Sequence, residues 1–372
     1  MVIFKYIRAR LLMVAVLGGL LLPMSCSNDD REGEGISYEP VSFGVTTPED
    51  WNDLTRGKVL TEGLMCTQGF GVFAYYTENM SWDMYDETLA PNFINNTKVT
   101  SSNNGASWKY TPVKYWPHTQ TDKVSFFAYA PYVSSFALNS NKIAYSVDND
   151  VTKHIDLCWS SSDTRDMNQN FGTVSFEFKH ALARIDFTVY ATADGVSPLP
   201  AGMTIRVKRV TLTGATDKTG SGVGEFYEQG KLNLYNETTT ADWSDCAGAQ
   251  SFTLSPTHFV GKNANGFVLT QANSSAPLQL NADDSHIMVI PQDFSANGFN
   301  IYVEYEVILE DKGGHDYFTY VNKGIGNIKV NLESGKAYTI AIKTDLEESI
   351  VELISITEWG EGGSVLIPGI VL

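Results

Sequence analysis

Past residue 36 the dominant spacing of apolar residues is two. Val41, Phe43 and Val45 alternate with Ser42, Gly44 and Thr46, the period of a strand with one buried face. The same alternation runs through Val124–Tyr129, Val174–Phe178 and Ile185–Val189. Farther on, Ile301, Val303, Tyr305, Val307 and Leu309 fall on one face of a strand, and Tyr302, Glu304, Glu306 and Glu310 on the other. Turn-forming clusters such as Asn103-Asn104-Gly105, Asn139-Ser140-Asn141 and Asp311-Lys312-Gly313-Gly314 punctuate these runs. Helical spacing is confined to short turns near Asp83–Leu89 and Asp345–Ser349. The pattern predicts an all-β sandwich architecture. It breaks at Ala193-Asp194-Gly195-Val196-Ser197-Pro198-Leu199-Pro200, which divides the chain into an N-terminal domain, 36–192, and a C-terminal domain, 193–372. A further loop-rich region spans Gly214–Gly224. No repeat at a fixed period of about 20 to 50 residues suggests a solenoid or propeller.

The N-terminal residues follow a different rule. Lys5, Arg8 and Arg10 precede an apolar run, Leu11–Leu22, of about 12 residues, short of the roughly 20 that a bilayer-spanning helix needs. Residues 1–25 therefore read as a secretion signal. The run ends at Leu22-Pro23-Met24-Ser25-Cys26, which resembles a lipoprotein cleavage box with Cys26 as the lipid-bearing residue, although the box prefers Leu where Pro23 stands. Residues 26–35 are polar and glycine-bearing, as a flexible tether is. The acids directly behind Cys26 resemble the surface-export signal of Bacteroides-type lipoproteins, which places the globular part outside the cell at the outer membrane. A lipid anchor holds such a chain without a spanning helix, and no other stretch approaches 18 apolar residues.

Composition narrows the partners. Lys and Arg number 26 against 43 Asp and Glu, a net charge of −17, which repels a phosphate backbone and argues against nucleic acid. Cys66, Cys158 and Cys246 are widely spaced with no C-x-x-C pair and read as buried small hydrophobes. The histidines, at 118, 154, 180, 258, 286 and 315, show no metal-site spacing such as H-E-x-x-H, so the expectation is no metal and no cofactor. Asp148-Asn149-Asp150 begins like a calcium loop, but Thr152 and Lys153 break the pattern. Gly220-Ser221-Gly222-Val223-Gly224 precedes a strand-like Glu225-Phe226-Tyr227 and not a helix, so it reads as a turn. Glu304 and Glu306 share a strand face where acids keep a surface wet. The chain has 7 Trp and 18 Tyr, which leaves open a sugar-stacking platform, though in an all-β protein aromatics mostly fill the core.

Two segments carry a resemblance. Tyr110-Thr111-Pro112-Val113-Lys114-Tyr115-Trp116-Pro117 followed by Val124–Tyr132, and Phe176–Phe187 with its Phe178-Lys179-His180-Ala181-Leu182-Ala183-Arg184-Ile185-Asp186-Phe187 core, are similar to the fimbrillin family, including its Mfa-like members. Leu332–Thr339 and Ile354–Trp359 resemble its closing strands. The resemblance implies a subunit of a type V pilus: two transthyretin-like β-sandwich domains in tandem, exported as a lipidated precursor and joined head to tail with other fimbrial subunits by strand exchange. It also implies an arginine-specific protease that cuts the loop after the first strand. With the first strand at 36–47 and the loop at 48–58, the matching bond lies between Arg56 and Gly57. Removal of Val41, Phe43 and Val45 would open a groove of unpaired amides and apolar side chains, which a strand from a neighbour would fill.

The donor candidate is the apolar tail after Gly360-Glu361-Gly362-Gly363, namely Val365, Leu366, Ile367, Ile370, Val371 and Leu372 within residues 360–372. The alternative is that this tail is the last strand of its own domain. The functional expectation is structural, pilus assembly with adhesion to host or bacterial surfaces as its consequence, and not an enzyme. A surface glycan-binding lipoprotein that does not polymerise is the second reading.

Overall fold

Strand-forming sequence dominates the chain wherever the structure describes it. The structure is a computed structural model, described over residues 39–46, 59–119, 121–165, 172–194, 197–214, 225–235, 240–310, 313, 316–344, 349–358 and 365–366. The chain opens with β1 (Ser42–Thr46), helix α1 (Glu62–Gln68), β2 (Phe70–Glu78), β3 (Ile94–Val99), β4 (Lys123–Ala130), β5 (Leu138–Asn139) and β6 (Lys142–Ser146). It continues through β7 (Cys158–Arg165), β8 (Thr173–His180), β9 (Ala183–Ala191), β10 (Met203–Thr213), β11 (Gln229–Asn233), β12 (Asp242–Ala247) and β13 (Phe252–Leu254). Next come β14 (Phe267–Thr270), β15 (Leu278–Gln279), β16 (Ile287–Val289), β17 (Gln292–Asp293) and β18 (Phe299–Glu310). It closes with β19 (Asp316–Ile328), β20 (Asn331–Leu332), β21 (Lys336–Thr344), β22 (Ser349–Glu358) and β23 (Val365–Leu366). The fold is an all-β sandwich.

Six strands form one sheet in the order β1-β8-β7-β4-β2-β3. Its neighbours are antiparallel except β1, which runs parallel to β8. A second sheet takes the order β13-β10-β18-β19, with β14 also on β10; a third takes β15-β9-β21-β22-β23, with β16 also on β9. A four-stranded sheet, β12-β11-β6-β5, joins residues 229–247 to residues 138–146. Strand β9 lies parallel to β21, so residues 183–191 belong to a sheet otherwise made by later strands.

The first sheet is buried on both faces. From β2 and β4, Phe70, Val72, Ala74, Val124, Phe126 and Ala128 pack with Val41, Phe43, Phe176 and Phe178. The intervening Phe73, Tyr75, Phe127 and Tyr129 pack with Trp159 into a second cluster, which extends to Ile205, Leu212, Ile301 and Ile342. The alternation expected for Val124–Tyr129 therefore separates two cores instead of core from water, and Ser125 between them is buried as well. A strand covered on both sides reads as a near-continuous apolar run.

Three other expectations are corrected. Tyr302, expected on the face shared with Glu304, Glu306 and Glu310, is fully buried, as is Ile308, while Leu309 is half-buried beside a register shift at Leu309/Glu310. On the Tyr302 face the Arg209 guanidinium lies over the Tyr302 ring, 5.1 Å from its centroid. The turn near Asp83 is a single 3₁₀ turn, Trp82–Met84; residues 345–348 lie outside the described residues, as do 215–224. The α-helix lies instead at α1, where Thr61 accepts from the Leu64 amide at 3.2 Å and Gly69, at φ +80°, ends the helix. Met65 and Cys66 turn its inner face into the core. Cys158 is buried like Cys66, but Cys246 is only half-buried.

Candidate functional site

Strand β1 occupies a seat built by residues far away in sequence. Its five residues pair with Thr173–Glu177 of β8, and Ser42 Oγ lies 2.7 Å from Thr173 Oγ1. On its other side, among the described residues, the chain is gripped at its entry. The Val41 amide donates to Lys114 O at 2.9 Å and the Trp116 amide to Glu39 O at 2.9 Å. The Tyr110 hydroxyl donates to Val41 O at 2.9 Å, and the Trp116 indole donates to Gly172 O at 3.0 Å. Beyond Val41, that edge meets no other strand among the described residues.

Side chains complete the seat. Phe43 stacks on Phe176 with ring centroids 5.6 Å apart and meets Tyr110 at 5.0 Å, Phe126 at 6.1 Å and Phe70 at 6.4 Å. Val41 and Phe43 are buried and Val45 is half-buried. Gly44 faces Ser175, whose Oγ would lie 3.3 Å from an added Cβ, so the strand sits close on β8. At about 1.5 to 3 kcal/mol for each fully buried large apolar side chain, Val41 and Phe43 contribute roughly 3 to 6 kcal/mol of transfer free energy. The Tyr110–Pro117 segment is thus the clamp over the strand's entry, and Phe176 and Phe178 lie in its floor.

The remaining candidates fall in different places. Val365 and Leu366 form β23, antiparallel to β22 through the pairs Ser355/Leu366 and Ile356/Val365. Cys26, Arg56, Gly57, Ile367, Ile370, Val371 and Leu372 lie outside the described residues. Glu304 pairs with Arg209 at 3.2 Å and Glu306 with Lys208 at 3.7 Å across to β10. Asp150 caps the 3₁₀ turn Val151–Lys153, and the hydroxyl and amide of Thr152 hold its carboxyl down to about 2.

Two buried polar clusters are not legible as spacing motifs. In one, Asp186 forms an ion pair with Arg184, Oδ2 to Nε 2.9 Å, accepts from Asn281 Nδ2 at 3.0 Å and is hydrogen-bonded to His286 Nδ1. Burial pushes its carboxyl up, but His286 and Arg184 outweigh burial and hold it well below the usual carboxylate range. In the other, Asp156, Cys158 and His180 meet beside α1. An adjoining cavity of about 330 Å³ is lined by Leu60, Leu64, Gln68, Pro131, Lys153, His154, Ile155 and Asp156. The signals are Asp-x-Cys at a strand start and a His on its ladder partner, visible only once pairing is known.

Comparison with known proteins gives these features a family. The chain is 29% identical over 225 residues to the fimbrium subunit Fim1C of Phocaeicola vulgatus, covering 51% of this chain. The match spans 58% of that relative's length. Among solved structures, a proposed cell adhesion protein of Parabacteroides distasonis superposes with a TM-score of 0.49 at 9% identity, over 88% of this chain and 98% of that one. Another, from Bacteroides uniformis, superposes with a TM-score of 0.46 at 15% identity, over 86% and 98%. A family model described as fimbrillin-like matches residues 58–359, which include both the clamp and the β8 floor. The chain belongs to the fimbrillin-like family.

Proposed function

We propose that the protein is a structural subunit of a cell-surface fimbria, and that β1 is a temporary occupant of a seat later taken by a strand from a neighbouring subunit. The observation that carries this reading is the position of β1: among the described residues an edge strand, bonded along one side to β8 and clamped on the other at Glu39–Val41, with Phe43 sunk among four aromatic rings. Family membership and the likeness to a fimbrium subunit support it. In this scheme the precursor is lipidated at Cys26 and reaches the outer-membrane surface. An arginine-specific protease cuts between Arg56 and Gly57, and the segment bearing Val41, Phe43 and Val45 leaves. An extended donor then restores the ladder on β8 and refills the Phe43 site.

The donor is the C-terminal tail, Val365, Leu366, Ile367, Ile370, Val371 and Leu372, of the adjacent subunit. Among the described residues, Val365 and Leu366 take two ladder positions on β22. Pro368 lacks an amide proton and fits an edge position where no ladder bond is required. A contact of this head-to-tail kind does not close on itself and propagates a filament. The role is structural, with no catalysis.

Limited digestion with an arginine-specific protease, followed by mass analysis and size measurement, tests the scheme. The expected outcome is loss of the fragment ending at Arg56 together with oligomers. A resistant Arg56, or a cut chain that stays monomeric with β1 still bound, overturns it.

A further inference from the structure

Three side chains unused by the assembly reading converge at the end of β8. Asp156 precedes β7 by two residues and Cys158 begins it, and residues two apart on an extended chain share a side. Cys158 pairs across the ladder with His180, the last residue of β8. His180 Nδ1 lies 2.8 Å from Asp156 Oδ1 and 3.5 Å from Cys158 Sγ, and Cys158 Sγ lies 3.7 Å from Asp156 Oδ1. All three residues are buried. From this geometry we infer a binding site for a divalent transition metal, with zinc as the ion whose chemistry it fits.

Carboxylate oxygen, imidazole nitrogen and thiolate sulfur are zinc's donors, at about 2.0, 2.0–2.1 and 2.3 Å. A tetrahedral ion with those bonds sets its ligands about 3.3 Å apart for N and O, about 3.6 Å for S and N and about 3.5 Å for S and O. The two sulfur separations already match to about 0.2 Å, and the nitrogen–oxygen pair has to open by about half an ångström. Such an opening is expected when an ion replaces the proton shared between Nδ1 and Oδ1. Binding moves the imidazole proton to Nε2 and releases the thiol proton to solvent, with no change of oxidation state. Mixed O, N and S donors suit zinc better than magnesium or calcium, which prefer oxygen alone.

The surroundings support the site. Asp156 Oδ2 accepts from the Leu60 amide at 2.7 Å, a contact that fixes the carboxylate and leaves Oδ1 toward the other ligands. A cavity of about 330 Å³ adjoins the cluster on the Asp156 side. Loaded, the ion would tie β7 to β8 and, through Leu60, to the start of α1. It would stiffen β8 whether or not β1 is in place.

Titration of the full chain with Co²⁺, a spectroscopic stand-in for zinc, is the test. One equivalent is expected to give a thiolate-to-cobalt charge-transfer band with tetrahedral d–d bands, both abolished by an equivalent of Zn²⁺. Cys158→Ser should lose the charge-transfer band and Cys246→Ser should keep it. X-ray absorption on the zinc-loaded wild-type chain needs no variant and should find one sulfur in the coordination shell. Absence of stoichiometric uptake, a shell without sulfur, or a band that survives in Cys158→Ser overturns the inference and leaves the three groups as a hydrogen-bonded cluster.

Discussion

At the scale of single residues, the polar groups inside this protein are those whose partners lie far along the chain. Asp186 is joined to His286, 100 residues away, and to Asn281, 95 away. Because its folded carboxyl sits below the value near 3.8 of an unfolded chain, the folded state binds that proton less tightly. Its stabilising contribution is complete above pH of about 4 and is lost as pH falls through the folded value, the unfolded chain taking up the proton first. Thermal unfolding followed from pH 7 to 2.5 should therefore show a steeper acid-side fall in Tm for the wild type than for Asp186→Asn. Equal slopes would mean that Asp186 is not the group responsible. No local motif announces such a cluster, since the spacing between members is set by sheet order and not by a helical or strand period. Each histidine reads as solitary in the sequence for that reason, although His154 accepts from the Met288 amide at 3.0 Å and His180 meets Asp156 and Cys158.

At the scale of elements, period-two alternation reveals strands but not how many of their faces are covered. Val41–Thr46 is legible as a strand, and so are β8, β9 and β18, because alternation survives wherever one face differs from the other. Whether the second face meets water or another core depends on layers brought in from elsewhere, which is why alternation alone does not place Phe127 and Tyr129. Helix α1 is hard to see because seven residues span barely two turns, too few for a helical period to stand out, although Thr61 and Gly69 mark its ends. The role proposed for β1 carries its own prediction. Phe43→Ala should lower the stability of the uncut chain by about 3 to 5 kcal/mol, as truncation of a buried aromatic does. The same change should leave the protease-trimmed chain unaffected, because the residue is gone. Denaturant unfolding of both forms reads the difference, and an equal loss in both would show that residue 43 is retained after trimming.

For the molecule as a whole, net charge governs how readily copies meet. Without residues 1–56 the subunit has 21 Lys and Arg against 35 Asp and Glu, a net charge of −14 that repels its twin, and screening shortens the reach of that repulsion from about 30 Å at 10 mM salt to about 8 Å at 150 mM. Polymer growth after arginine cleavage, followed by light scattering, should accelerate by about tenfold over that range. A rate that falls with salt would point to joints made by opposite charges instead of by apolar strands. Charge and composition thus argue against nucleic acid from sequence alone, whereas the seat itself required coordinates, since its clamp, floor and occupant come from three separated stretches.

The parallel union of β1 with β8 carries a consequence in time. Ser42 touches Thr173 across 131 positions of chain, and no hairpin can bring parallel neighbours together. Whatever order the intervening strands adopt, the early segment must wait until the late one has been made and laid down. A chain cut short before residue 173 has nowhere to put Phe43. Closure of this edge is therefore a certificate of length, issued only to chains that reach Glu177.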